Sequence, residues 1–568
     1  MLKQQFLACG STFAMLLVAA GATPVAGQSP ARLVVAQPAM IKACAELVAQ
    51  FEFPATKLSS ATVIPAGRLS VAGKPVAEHC VVTGKMNERV SPVDGQTYAI
   101  GFEMRLPTDW NGRFLYQANG GIDGAVAPAL GAVSGGGALT HALAQGFAVL
   151  SSDAGHAGNQ NPLFGLDPQA RLDYGYQAVG TLTPMAKELI RAAYAKSPDR
   201  SYIGGCSNGG RHVLVAASRY PEQYDGFLAG DPGFNLPQAA LVQLAGVQQY
   251  RRVATSDDLS TGFTQAERQT VANKVLEKCD ALDGVTDGLI QATARCQRAF
   301  DLQRDVATCT GSRDGTCLTR EQKDVITALF SGVRNTKGER LYASFPFDAG
   351  IVGSDWASWK FVASVTNRDP PAMAFIFQTP PADPVALRDT RAFALGFNVD
   401  RDAGKIFATA APYNEASMSF MTPPQATDMS ALRRSGGKLL VFHGTSDPIF
   451  SSDDTAAWYN GLTKSSGGGA GSFARYFEVP GMNHCSRGPA TDQFDMLSAL
   501  VDWVEKGQAP DRIIATARGA GNPGGVNAEL PAGWAPDRTR PLCPYPQVAI
   551  HDGKGDIERA SSFSCKQP

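Results

Sequence analysis

The chain has 568 residues, more than a single hydrophobic core usually serves, so two structural units or one domain carrying a large insertion are expected. Its 51 basic and 52 acidic side chains nearly cancel, and no long run of either sign occurs. That balance argues against nucleic acid or an anionic membrane as the main partner and favours a small neutral ligand.

The opening MLKQQFLACGSTFAMLLVAAGATPVAGQ combines Lys3, an apolar stretch from Phe13 to Ala20, and the small residues Val25, Ala26 and Gly27. This pattern predicts a signal peptide over residues 1–27. The apolar run is shorter than the roughly 20 residues a membrane span needs, and no later segment is long and apolar enough, so a soluble protein, secreted or periplasmic, is expected. Of the 11 cysteines, Cys9 would leave with the signal. An even remainder in an exported chain favours disulfides over metal thiolates. Local spacing suggests Cys279 with Cys296 and Cys309 with Cys317, and leaves the other pairings open.

Beyond the signal, short apolar runs at Arg113–Gln117, Phe147–Ser151, Tyr202–Gly205, Lys438–His443 and Arg475–Val479 alternate with helical patterns, which predicts a parallel sheet wrapped by helices. The run after Tyr202 passes through a tight turn into the helical segment GGRHVLVAASRYP. A second helix is predicted over Thr491–Lys506, with Phe494, Leu497, Leu500, Val501 and Val504 at core spacing and Gly507 as its stop. Between about Leu236 and Leu432 the composition changes to clustered cysteines, Trp356, Trp359 and the stretches RDPPAMAF and TPPADP. The domain plan is therefore a first sheet part over 28–235, an inserted lid over 236–432 at the carboxyl edge of the sheet, and a second sheet part over 433–568. The glycine-rich SSGGGAGS from Ser465 is expected to be a flexible surface loop.

The chemistry centres on Gly205-Cys206-Ser207-Asn208-Gly209, a Gly-x-Ser-x-Gly string between a predicted strand and a predicted helix. Small residues two before and two after Ser207 permit the sharp turn that lifts its hydroxyl out of the sheet. A serine needs a base, and the base needs a carboxylate. Among seven histidines, His484 in PGMNHCSRGP follows the predicted strand RYFEV; Asp447 in HGTSDPIF follows KLLVFH. The order Ser207, Asp447, His484 is that of an α/β-hydrolase fold, whereas the competitor Asp153 precedes the serine. His443 lies near a strand end, to shape the pocket or pack beside the acid. His79, His141, His156, His212 and His551 read as surface or packing residues. The oxyanion donors are placed at the amides of Gly121, in NGGIDG, and Asn208. Cys206 neighbours the nucleophile and Cys485 the base; bonded together, they would preset the Ser to His contact.

A second constellation, CDALDGVTDGLI, gathers Asp280, Asp283 and Asp287 around glycines and suits oxygen coordination of a hard cation, for which calcium is the natural candidate. Backbone oxygens of Val285 and Leu289 would complete the shell. It is not an EF-hand, since Gln291 stands where the closing glutamate would be.

Taken together, GCSNGG, HGTSDP and PGMNHCSRGP resemble the tannase and feruloyl esterase family over nearly all the mature chain. FGLDPQARLDYGY, PGMNHCSRGPATDQFDML and RPLCPYPQ are particularly similar to its bacterial branch of mono(2-hydroxyethyl) terephthalate hydrolases. The resemblance implies a lidded hydrolase with the same triad, calcium on the five residues above, and bridges Cys206 to Cys485, Cys44 to Cys80, Cys279 to Cys296, Cys309 to Cys317 and Cys543 to Cys565. It also implies an aromatic substrate pocket lined by Trp359, Phe377 and Phe450. The chain departs from that branch in KFVASVTNRDPPAMAFIF, which is shorter and aligns no arginine with the lid arginine that grips a free carboxylate; Arg368 is nearby. Losing that charge-assisted clamp favours hydroxycinnamate or gallate esters over terephthalate monoesters as substrates.

Overall fold

The structure is a computed structural model that describes residues 35–133, 135 and 139–568; the expected signal segment lies outside them. A nine-stranded sheet forms its centre. Its strands are β1 (Thr56–Ile64), β2 (His79–Val90), β3 (Thr97–Pro107), β4 (Arg113–Gln117), β5 (Ala148–Ser152), β6 (Arg200–Cys206), β7 (Gly226–Gly230), β8 (Lys438–Gly444) and β9 (Ala474–Val479). They lie in the order β9-β8-β7-β6-β4-β5-β3-β2-β1. From β4 to β9 all neighbours are parallel, while β1, β2 and β3 form an antiparallel wing that joins through β3 against β5.

Every parallel strand foreseen from its apolar run is present. The wing and β7 were not foreseen, and their sequences explain why. β1 has no buried residue and carries the polar alternation of an outer strand, and β2 ends in the charged run KMNERV. β7 is the five-residue GFLAG, entirely buried yet framed by glycines that read as a turn.

Seven principal helices are α1 (Ala178–Tyr194), α2 (Asn208–Arg219), α3 (Leu236–Val253), α4 (Gln265–Cys279), α5 (Arg320–Phe330), α6 (Ser452–Ser465) and α7 (Met496–Lys506). α2 packs on β6 and β7, and α7 packs on β7 and β8. Alternate strand residues serve opposite faces: Ile203, Phe227 and Val441 join one core with Leu214 of α2, whereas Tyr202, Leu228 and Leu440 join another with Leu497 and Leu500 of α7.

α7 starts five residues later than its periodicity predicts. Gln493 exchanges backbone hydrogen bonds with Thr516 (3.1 and 2.8 Å), which holds the chain extended until the Asp495 carboxylate caps the Ser498 N–H at 2.9 Å. Phe494, Leu497, Leu500 and Val504 are buried as foreseen, Val501 is half-buried, and Gly507 ends the helix at φ +71°.

Between β7 and β8 the described residues add no strand to the sheet. They form α3 to α5, several short turns and a π-helical stretch, Trp359–Asn367. Their apolar side chains, Ile326, Trp356 and Phe377 among them, belong to the same buried core as Ile203 and Val441.

Candidate active site

β6 ends at Cys206 and α2 begins at Asn208, so Ser207 alone makes the turn, at φ 66° and ψ −128°. Such backbone geometry in a non-glycine residue costs on the order of 1–3 kcal/mol and persists only where its surroundings enforce it. They do so by close approach. A Cβ on Gly205 or Gly209 would meet the Ala118 carbonyl oxygen at 2.4 or 2.3 Å, and the Ser207 N–H donates to the Gly230 oxygen at 2.9 Å.

The three residues expected to cooperate are brought together from the ends of three strands. His484 Nε2 lies 2.8 Å from Ser207 Oγ, and His484 Nδ1 lies 2.7 Å from Asp447 Oδ2. The other carboxylate oxygen accepts the N–H groups of Ile449 (2.7 Å) and Phe450 (3.1 Å). Burial alone would raise the Asp447 carboxyl, but the imidazoles of His484 and His443 outweigh it and hold the group well below the usual carboxylate range. An ionised Asp447 accepts a hydrogen bond from the Nδ1–H of His484, which fixes the tautomer whose Nε2 is free to act as a base toward Ser207.

Cys206 and Cys485 are bonded, with Cα atoms 6.1 Å apart, so the residues next to nucleophile and base are covalently joined. The other pairs are Cys44–Cys80, Cys279–Cys296, Cys309–Cys317 and Cys543–Cys565, as the family resemblance implied. Replacing Cys206 and Cys485 together by serine is expected to lower unfolding stability by about 2–5 kcal/mol. A denaturant titration checks the stability, and a fall in kcat with little change in KM would report the loosened Ser207 to His484 contact.

Gly121, at φ +67°, sits in the loop after β4; a Cβ on its neighbour Gly120 would lie 3.7 Å from the Ser207 Cβ. Among the described residues neither the Gly121 nor the Asn208 N–H has a protein acceptor, as an oxyanion hole requires. What holds this loop was missed in the sequence. Asp123 Oδ2 accepts from Asn208 Nδ2 (2.8 Å) and lies 3.0 Å from His212 Nε2, and the Asp123 carbonyl accepts from Asn161 Nδ2 (3.0 Å). Tyr174 donates its hydroxyl to the Gly121 carbonyl at 3.3 Å, and His156 Nε2 lies 2.9 Å from the Ile122 carbonyl. Burial pushes the Asp123 carboxyl well above, and the His212 imidazole well below, their ordinary values. His212 thus ties α2 to the loop that carries Gly121. Asp123→Ala is expected to lower kcat by about 10- to 100-fold, part of the cost of losing an oxyanion donor outright, with KM nearly unchanged in steady-state assays.

A narrow cavity opens on Ser207, lined also by Gly121, Leu236, Arg368, Phe377 and Phe450. Trp359 stands edge-on to the His484 ring with centroids 5.1 Å apart, and Phe450 does the same at 5.4 Å. Trp359, Phe377 and Phe450 therefore reach the site. His443 does not line the cavity. It is fully buried behind Asp447, with Nδ1 2.8 Å from Thr455 Oγ1 and Nε2 3.0 Å from the Phe450 carbonyl and 3.3 Å from Asp447 Oδ2. Of its two expected roles it takes the second, packing beside the acid. Asp231, also fully buried, accepts from the Gly444 N–H at 2.8 Å, and burial raises its carboxyl above the usual carboxylate range. Asp153 instead holds a bend, with Oδ1 accepting from the N–H groups of Gly101 and Gly155, each at 2.9 Å.

Arg368 lies over the Trp359 ring at 4.8 Å, and its Nε and Nη2 both donate to Asp369 Oδ1, at 3.0 and 2.9 Å. One edge of its fork is thus filled by its own neighbour in sequence.

In the acidic loop the Asp280 oxygens accept from the N–H groups of Asp287 (3.0 Å) and Gly288 (2.9 Å), and Asp283 Oδ1 accepts from Val285 (3.3 Å). Asp287 bonds the Leu289 N–H through Oδ1 and Arg540 through Oδ2. Asp283 Oδ2 is buried without a partner, and burial together with Asp287 pushes the Asp283 carboxyl up to about 7. A buried carboxylate oxygen left unmatched beside a second carboxylate is a place a cation fits.

A family model described as tannase and feruloyl esterase matches residues 80–566. The chain belongs to the tannase and feruloyl esterase family. Mono(2-hydroxyethyl) terephthalate hydrolase of Piscinibacter sakaiensis is 38% identical over 553 residues, covering 90% of this chain and 89% of that protein. Feruloyl esterase C of Talaromyces stipitatus is 27% identical over 489 residues, 82% of each chain. The crystal structure of feruloyl esterase B from Aspergillus oryzae superposes with a TM-score of 0.73 at 25% identity, covering 92% of this chain and 99% of that one. This member of the tannase and feruloyl esterase family is accordingly a carboxylic ester hydrolase built on an α/β-hydrolase sheet. No helix among its described residues is long and apolar enough to cross a membrane.

Proposed function

We propose that the protein cleaves esters of aromatic acids, with hydroxycinnamoyl or galloyl esters as its main substrates, through an acyl-enzyme on Ser207. The observation that carries this reading is the Ser207, His484, Asp447 relay opening into a cavity walled by Phe377 and Phe450 beside Trp359. His484 Nε2 takes the Ser207 proton as Oγ attacks the ester carbonyl, and the amides of Gly121 and Asn208 hold the oxyanion. Asp447 keeps the Nδ1 proton in place and stabilises the imidazolium. The imidazolium then protonates the leaving alcohol. In the second half a water gives its proton to Nε2 as it attacks the acyl carbonyl; the tetrahedral intermediate then breaks its bond to Ser207 Oγ, which regains the proton from Nε2, and the aromatic acid is released.

Terephthalate monoesters are a second reading, favoured by Arg368 lining the cavity and by the 38% identity to the Piscinibacter enzyme. Against it, the Asp369 carboxylate already occupies the Nε and Nη2 edge of the guanidinium and offsets its charge, which leaves a substrate carboxylate only the Nη1 end. Hydrolysis of methyl ferulate, methyl gallate and mono(2-hydroxyethyl) terephthalate, side by side, tests the order. The phenolic esters are expected to have the higher kcat/KM; a dominant terephthalate rate reverses it, and no rate on any of the three removes the substrate class.

The reading includes export, supported by the paired cysteines and the signal-like N-terminus, and a lid made by the segment between β7 and β8, supported by its contribution of Trp359, Arg368 and Phe377 to the site. It also includes a structural calcium held by Asp280, Asp283 and Asp287 with the carbonyls of Val285 and Leu289, a hard cation that would neutralise the loop and take no part in the ester chemistry. Calcium at about 100 times its Kd is expected to stabilise the fold by about 2.7 kcal/mol. Thermal melts with calcium and with chelator read this as a rise in Tm that Asp283→Asn removes; equal melts with and without calcium argue against the ion.

A further inference from the structure

Phe377, a wall of the Ser207 cavity, ends a π-helical turn, Met373–Phe377, and a helical end leaves its last carbonyls without backbone donors. Side chains supply them here. Arg171 Nη2 donates to the carbonyls of Ile376 (2.5 Å) and Gln378 (3.2 Å), on either side of Phe377, and to Thr379 Oγ1 (3.3 Å). Ser417 Oγ donates to the Phe377 carbonyl itself at 2.6 Å. Arg171 belongs to FGLDPQARLDYGY, and this segment lies directly on the turn, since a Cβ on Gly165 would collide with the Phe375 carbonyl. Three residues after Arg171, Tyr174 holds the Gly121 carbonyl, so the oxyanion loop and the Phe377 wall share one support.

The guanidinium is only 1% exposed, and among the described residues it has no ion-pair partner, while its Nε and Nη1 have no acceptor. Burial lowers it only to about 10, so it is charged at neutral pH. The Tyr413 and Phe420 rings, 4.9 and 5.4 Å from it, and the carbonyls at the end of the turn offset that charge. Every bond this buried cation makes is therefore to the segment that follows Phe375.

We infer that Arg171 is a positioning residue for acyl-group selection: by gripping the carbonyls on both sides of Phe377 it sets where that ring stands in the Ser207 cavity. Arg171 does not itself line the cavity. The inference rests on the reading that an aromatic acyl group occupies that cavity.

The readout is acyl selectivity, kcat/KM for p-nitrophenyl benzoate divided by that for p-nitrophenyl acetate, because the two esters differ only in the acyl group. In the whole enzyme Arg171→Met is expected to lower this ratio about tenfold, mostly through the KM of the benzoate ester. Arg171→Lys keeps a cation on a shorter reach and should lower it about threefold. Combining Arg171→Met with Phe377→Ala decides the route. A residue that acts through Phe377 shifts the ratio no further in the double variant than Phe377→Ala does alone, whereas a merely structural loss slows both esters alike. An unshifted ratio in Arg171→Met, or a full further shift on top of Phe377→Ala, overturns the inference. Phe377→Ala by itself tests the aromatic acyl reading: an unshifted ratio there removes both, and a shifted ratio beside an unshifted Arg171→Met removes the inference alone. Should Arg171→Met fail to fold by circular dichroism, Arg171→Lys carries the same comparisons.

Discussion

Ser207→Ala is expected to lower kcat on any ester the enzyme accepts by about four to six orders of magnitude, with KM changed only modestly. The substitution removes the hydroxyl that lies 2.8 Å from His484 Nε2 and on which the proposed acyl-enzyme forms, and leaves the Gly121 and Asn208 amides in place. The residual rate should therefore exceed that of the ester in water, because an oxyanion hole and a binding pocket still act on a bound substrate. Pre-steady-state kinetics on p-nitrophenyl acetate checks this: the wild type should show an acylation burst and the variant none. A retained burst would move the nucleophile elsewhere.

Asp447→Asn should cost about 10⁴-fold in kcat, and the hydrogen bonds state why a nearly isosteric change is so damaging. Asp447 Oδ1 faces two backbone donors, the N–H groups of Ile449 and Phe450. An asparagine must give its carbonyl oxygen to them. Its amino group then occupies the position of Oδ2, facing His484 Nδ1, and a donor there stabilises the tautomer that carries its proton on Nε2. That nitrogen can no longer accept the Ser207 proton. The same amino group also faces His443 Nε2, so a second donor is turned against the first. The expected signature is a pH-independent loss of kcat, measured across the neutral range, with the fold's Tm close to wild type. A loss below tenfold would show that Asp447 orients nothing.

Ser207, Asp447 and His484 were legible because each follows a recognisable apolar strand and because a serine nucleophile constrains what must surround it. Asp123 and His212 were not, since their importance lies in joining a glycine loop to α2, a contact between segments far apart in sequence. His443 was ambiguous for a related reason: a histidine after a buried strand faces either the cavity or the core, and only packing decides. The parallel strands could be read from continuous apolar runs, whereas β1 to β3 alternate, carry charge and lie toward one edge, where the pattern weakens. The pairing of Arg368 with its neighbour Asp369 depends on side-chain direction, which spacing does not convey.

The bond between Cys206 and Cys485 also sets when in the life of the chain the site is complete. The two cysteines are 279 positions apart, so nucleophile and base are joined only once most of the polypeptide has been made and oxidised. In a reducing cytoplasm the newly made chain would hold these residues near one another by packing alone. An oxidising environment would thus complete a site that a reducing one leaves held by packing alone.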